Sequence, residues 1–155
     1  MQLNRSDSST DALKRAYTGF RQAAGLLQYI KNNFMYAPSD DMKGPALESL
    51  SKLLLAQASE IFLEKSIHDA KGEALIAKLA SHTAYTYSAL SVEWNDIDTL
   101  RVPAMWCRIV ACKADHFMSV AHLYRAKADR AAGKHGEALT RFRHALSLSL
   151  IHISD

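Results

Sequence analysis

Apolar residues recur at steps of three and four along nearly the whole chain. Between Thr10 and Phe34 they fall at Leu13, Ala16, Tyr17, Phe20, Ala23, Ala24, Leu27 and Ile30, with Arg15, Arg21, Gln22 and Lys31 off that line. Such spacing keeps returning to one side of a 3.6-residue turn, so it predicts an amphipathic helix, capped by Ser9 or Thr10 and ending near Phe34. The turn residues Pro38, Ser39, Asp40 and Asp41 predict a loop over Met35 to Gly44. Pro45 suits the first position of a second helix, where its missing N–H goes unused. That helix is expected to reach Ile67. Leu47, Leu50, Leu54, Ala58, Ile61 and Lys65 lie on one line of it, and Leu53, Leu55, Phe62 and Leu63 widen the line. An arc that broad calls for burial between two or more neighbours.

A polar break at His68–Gly72 leads into a third helix, expected over Ala70 to Ser91. Leu75, Leu79, His82 and Thr86 form one of its stripes, and its many small residues allow a neighbouring helix to approach closely. The stretch from Leu47 to Leu90 therefore reads as an antiparallel hairpin around which the rest is organised. Val92 to Arg101 reads as a connection pinned by Trp94 and Ile97. Pro103 opens a fourth helix, which holds helical period from Trp106 through Ile109, Val110, Lys113, Phe117, Val120, Ala121, Tyr124 and Ala128 to about Ala132. Gly133 is placed to cap it. A fifth helix follows, with Ala138, Phe142, Ala145 and Leu146 at tetratricopeptide-like spacing. The fold class is all-α: about five helices in antiparallel hairpins with tetratricopeptide-like solenoid packing. Residues 1–9 are polar and expected to be disordered, 10–146 form the helical core, and 147–155 are an atypical tail foreign to it.

Composition agrees with this outline. Three Pro and six Gly in 155 residues leave too little punctuation for a strand-and-turn fold, and 48% hydrophobic residues suffice for a core. A net charge of +3 does not mark a nucleic-acid binder. The excess is local: Arg125, Lys127, Arg130, Lys134, Arg141 and Arg143 crowd the last third. They read first as a solvated helix face, and otherwise as an attraction to an acidic partner or a membrane surface. Cys107 and Cys112 are five apart on one helix, a spacing that separates them around it, so they are expected to be free thiols. No apolar run nears the roughly 20 residues needed to cross a bilayer.

Candidate chemistry is sparse. Cys112 and His116 share a helix face as metal ligands can, yet no second ligand pair follows, so a buried thiol beside an imidazole is the better reading. Asp40 and Asp41 read as turn residues, and Glu60 and Glu64 as surface charges. No phosphate loop, nucleophile elbow or metalloprotease motif is present. The expectation is a protein that is no enzyme, with no cofactor, no metal, no small-molecule substrate and no nucleic acid. Tyr85, Tyr87, Trp94, Trp106, Phe117 and Tyr124 are mostly core residues; an apolar groove among those left over would accept an amphipathic helix.

Several segments together carry a family resemblance. LLLAQASEIFLEKSI (53–67) and LIAKLASHTAYTYSAL (75–90) resemble paired segments of the Alix-type BRO domain. LKRAYTGFRQAAGLLQYIKNNF (13–34), the series Trp106, Lys113, Phe117, Ala121, Tyr124, and GKHGEAL (133–139) are similar to further parts in the same order. The resemblance covers roughly residues 11–146, the middle section of the domain. Ser59 and His82 stand where the family usually has Gln, and SLSLIHISD does not look like the family. The resemblance implies a non-catalytic adaptor of the endosomal sorting (ESCRT) pathway, in vesicle trafficking or ambient-pH signalling. Its concave groove would take the C-terminal amphipathic helix of an ESCRT-III subunit. It also implies a cytoplasmic protein recruited to endosomes, with peripheral membrane contact. Carried onto this sequence, the groove residues would be Tyr87, Leu90, Trp106, Ile109, Val110 and Lys113, with Lys113 meeting an acidic residue of the partner. The alternative is a helical scaffold fragment that self-associates through exposed apolar faces.

Overall fold

Helix boundaries in this chain are set where prolines and left-handed residues interrupt the apolar period. The structure, a computed structural model, describes residues 3–34, 36–96 and 102–150. These form five α-helices: α1 (Leu3–Asn33), α2 (Gly44–His68), α3 (Glu73–Asp96), α4 (Ala104–Ala131) and α5 (His135–Leu150). One turn of 3-10 helix, Asp40–Met42, precedes α2. There is no strand among the described residues.

Pro103 precedes α4, and its carbonyl accepts from the Trp106 and Cys107 N–H groups at 2.8 and 3.3 Å. Gly133 ends that helix in the left-handed region, φ 77°. Its N–H donates to Arg130 and the Lys134 N–H reaches back to Asp129, the paired bonds of a Schellman cap. α2 ends the same way with a less suitable residue. Ala70 sits at φ 49°, its N–H donating to Ile67 while the Lys71 N–H donates to Ser66. This corrects the expected start of α3, because Ala70 belongs to the cap and Gly72 supplies the carbonyl for the first bonds of α3.

Other boundaries also differ. α1 begins at Leu3, ahead of the expected cap, because its Ser and Asp residues are weak helix formers without barring a helix. α3 continues to Asp96, so Trp94 is a buried helix residue and not part of a connection. α5 runs through Leu150 into the expected tail. The expected role of Ile97 and the end of the tail, 151–155, lie outside the described residues.

The described residues fall into two compact units, one up to Lys65 and one from Ser66. The Leu47–Leu90 stretch is thus divided between them. In the first unit, Tyr17, Ala24 and Lys31 are spaced by seven on α1 and meet α2 in reverse order. Tyr17 packs on Phe62 (ring centroids 5.9 Å apart), the Ser51 hydroxyl donates to the Ala24 carbonyl at 3.1 Å, and Lys31 pairs with Glu48 at 2.6 Å. Reversed order means antiparallel helices. Lys31, and after it Lys52, hold the Glu48 carboxyl below the usual carboxylate range. The pair therefore stabilises fully above the unfolded value of about 4.3, and its contribution fades as pH falls through the lowered folded one. With Glu48 39% exposed, screening limits this to about 0.2–1 kcal/mol.

In the second unit α4 is central, packed on α3 and on α5. Ser119, His122 and Asp129 on α4 meet Ala145, His144 and Arg141 on α5 in reverse order, a second antiparallel hairpin. Asp129 is 3% exposed and holds Nε of Arg125 at 3.2 Å and Nε of Arg141 at 2.8 Å. The Arg141 contact is short but poorly aligned as a hydrogen bond, so its attraction is mainly Coulombic.

The two helix ends predict opposite responses. Ala70→Gly relieves a left-handed alanine and should stabilise by about 1 kcal/mol, a rise of about 2–4 °C in Tm. Gly133→Ala should lower Tm by a similar amount. Thermal denaturation followed by circular dichroism measures both.

Candidate partner-helix face

α3 and α4 pack on each other, and each carries a buried stripe. Ile76, Ala80, Thr83, Tyr87, Leu90 and Trp94 are buried at alternating steps of four and three along α3. Val110, Phe117 and Ala121 are buried on α4. The alanines let the backbones approach, and the rings fill the space between. Tyr87, 0% exposed, stacks on Phe117 with centroids 5.8 Å apart and planes 10° apart. Such a pair contributes about 0.5–1.5 kcal/mol beyond the area it buries. The Lys113 ammonium lies 5.4 Å from the centre of the Tyr87 ring, within cation–π range.

Beside this stripe, the first turns of α4 are exposed. Trp106 and Ile109, one turn apart, are 46% and 45% exposed, and Met105 is more so. Trp106, Ile109, Lys113 and His116 follow at steps of three, four and three, so they form one line. Lys113 is half-buried at the edge between this line and the Tyr87 ring.

The six expected groove residues therefore separate. Tyr87, Leu90 and Val110 lie in the core, Val110 at 3% exposure. Trp106 and Ile109 are on the surface, and Lys113 joins the two sets. Adjacent residues on a helix are turned about 100° apart, so Ile109 and Val110 look alike in sequence and point to different sides. Met105 was not among the six, though its place beside Trp106 was a usable signal. Chemically, the face offers an indole, a branched aliphatic chain and a thioether, with Lys113 at its edge. It can receive the apolar stripe of a helix bearing an acidic residue.

Both thiols are free and half-buried. His116 lies edge-on to Phe117, centroids 5.1 Å apart. Among the described residues no group of three or more His, Cys, Asp or Glu could hold a metal. Asp40 pairs with Lys43 at 2.6 Å, and that hydrogen bond keeps its carboxyl low. Arg125 and Arg141, expected on a solvated face, converge on Asp129 instead. No helix among the described residues is long and apolar enough to cross a membrane.

Helical hairpins carrying an open apolar face define an all-α helical module. The chain belongs to the BRO1-like domain family, which it matches over residues 1–150. That span passes both ends of the resemblance seen in the sequence. The chain is 40% identical to the vacuolar protein-sorting protein BRO1 of Cryptococcus neoformans over 144 residues, 92% of this chain and 15% of the relative. It is 32% identical to the pH-response regulator protein palA/prr-1 of Neurospora crassa, over 90% of this chain and 17% of that one. It thus spans under a fifth of either relative. Among solved structures, the ALIX BRO1 CHMP4C complex superposes with a TM-score of 0.83 at 28% identity, covering 89% of this chain and 39% of that one.

The division of Ile109 from Val110 can be measured. Val110→Asp places an uncompensated carboxylate in the core and should cost about 3–5 kcal/mol, with loss of the cooperative melt. Ile109→Asp should change stability by less than about 0.5 kcal/mol and leave the helical signal intact.

Proposed function

We propose that this chain is the helix-binding section of an endosomal sorting adaptor, receiving the C-terminal amphipathic helix of an ESCRT-III subunit on the outer face of α4. The observation that carries this reading is the exposed line of Trp106 and Ile109 ending at Lys113. An indole and an aliphatic side chain left half in water on a long helix are characteristic of a docking face. Family membership supports the pathway: relatives include a vacuolar protein-sorting protein and a pH-response regulator. One similar solved structure is a complex of the ALIX BRO1 domain with CHMP4C, an ESCRT-III subunit. Trp106 and Ile109 would supply the anchors, with Lys113 pairing to an acidic residue of the incoming helix. Tyr87, Leu90 and Val110 would act from beneath, by fixing the position of α4. The role is non-catalytic, and the adaptor is cytoplasmic and recruited to endosomes through its partner.

A second reading, self-association through apolar surface, is favoured by the exposure of Leu26, Tyr29, Phe34 and Tyr36 in the first unit. Light scattering distinguishes the two, since the adaptor reading expects a monomer that binds the peptide.

The adaptor reading is tested by fluorescence anisotropy with a labelled peptide of an ESCRT-III C-terminal helix. Saturable binding is expected, weakened about tenfold or more by Trp106→Ala or Ile109→Asp with helicity retained. Leu26→Asp should leave affinity unchanged. Equal affinity in all three variants would contradict the assignment.

A further inference from the structure

Arg125 and Arg141, two of the basic residues of the last third of the chain, help to line a cavity of about 210 Å³ bordered by α3, α4 and α5. Its polar lining is Lys78 and Ser81 from α3, His122 and Arg125 from α4, and Arg141 from α5. Asp129 engages only the Nε edge of each arginine. Their terminal amino groups have no hydrogen-bond acceptor among the described residues, and Lys78 has neither acceptor nor carboxylate partner there. Two arginines thus share one carboxylate, and with Lys78 the half-enclosed space carries a surplus of two positive charges. Ala77, Met118 and Ala121 form an apolar wall beside them. These donors are partly open to water, and an anion entering the space would meet positive charge from three helices at once.

We propose that this cavity binds a phosphomonoester group carried by a soluble molecule. A phosphomonoester carries nearly two negative charges and three acceptor oxygens near neutral pH, matching the surplus charge and the donors from three helices. A carboxylate offers one charge and two oxygens. The volume is below the roughly 300 Å³ at which pockets enclose a whole drug-sized ligand. It therefore suits the phosphate and its first attached atoms, with the apolar wall beside the carbon that bears it.

His122 supplies an internal reporter. Burial first, then the charges of His144 and Arg141, hold its pKa below the ordinary histidine value. Its ring is therefore mostly neutral near neutral pH, and a bound anion would move that pKa back upward.

The test uses the 155-residue chain, titrated with O-phosphoserine and with inorganic phosphate at constant ionic strength, following the His122 ring resonances by NMR. Saturable binding with a rise in the His122 pKa is expected. Lys78→Gln, at an exposed position that leaves the Asp129 cluster whole, should weaken it about fivefold or more. Arg143→Gln, exposed on α5 and outside the cavity, should not. Vesicles containing phosphatidic acid, against phosphatidylserine vesicles, separate the sources of the group. Binding to phosphatidic acid with no response to phosphoserine would move the assignment to a lipid headgroup and overturn the soluble one. No response to any phosphomonoester, the same response to chloride, or equal weakening by Arg143→Gln would overturn the site itself.

Discussion

The second unit depends on one contact, the stacking of Tyr87 on Phe117 between α3 and α4. A fully buried tyrosine fixes both the distance and the rotation of the helices that enclose it, because protein interiors leave no room for a ring to shift. Rotation matters most. With Phe117 and Val110 buried, Ile109 and His116 are turned about 100° away on α4, and Trp106 and Lys113 fall between the two directions. Lys113, drawn to the Tyr87 ring, then marks the border between buried and exposed sides. The candidate binding face is thus a consequence of core packing, with exposed and core residues interleaved on one helix.

At the far end of α4 the constraint is electrostatic. Asp129 is buried within reach of two arginines, one on its own helix and one on α5. Removing its charge would leave both cations facing each other, so it stabilises the hairpin more by preventing repulsion than by any single bond. The Gly133 cap begins beside it, since the Asp129 carbonyl accepts from Lys134. Backbone and side chain of one residue therefore bring α5 back along α4. The same convergence that closes the hairpin concentrates positive charge next to His122.

Much of this was legible in the sequence, for local reasons. Pro103 and Gly133 mark the ends of α4 because each restricts or permits backbone angles by its own chemistry. The helical period of α1, α2 and α4, and the BRO-domain segments in order, indicated five helices and the family. Other features have no local signature. Nothing about Ala70 announces a left-handed cap, since the main-chain bonds to Ser66 and Ile67 impose it. Ile109 and Val110 are both β-branched and apolar, and only the position of Tyr87 and Phe117 decides which is buried. Arg125 and Arg141 read as surface charges until α5 folds back and both meet Asp129. Contacts between distant residues made these assignments, and spacing alone could not.

The chain contains two tryptophans, which makes the two-sided nature of α4 directly measurable. Trp94 is 6% exposed, while Trp106 stands on the open face. The decisive measurement is acrylamide quenching of the Trp94→Phe protein, in which Trp106 is the sole emitter, with and without the ESCRT-III helix peptide. A readily quenched, red-shifted emission that becomes protected and blue-shifted at saturating peptide is the predicted result. Emission already protected in the free chain, or unchanged while the peptide binds, would contradict it.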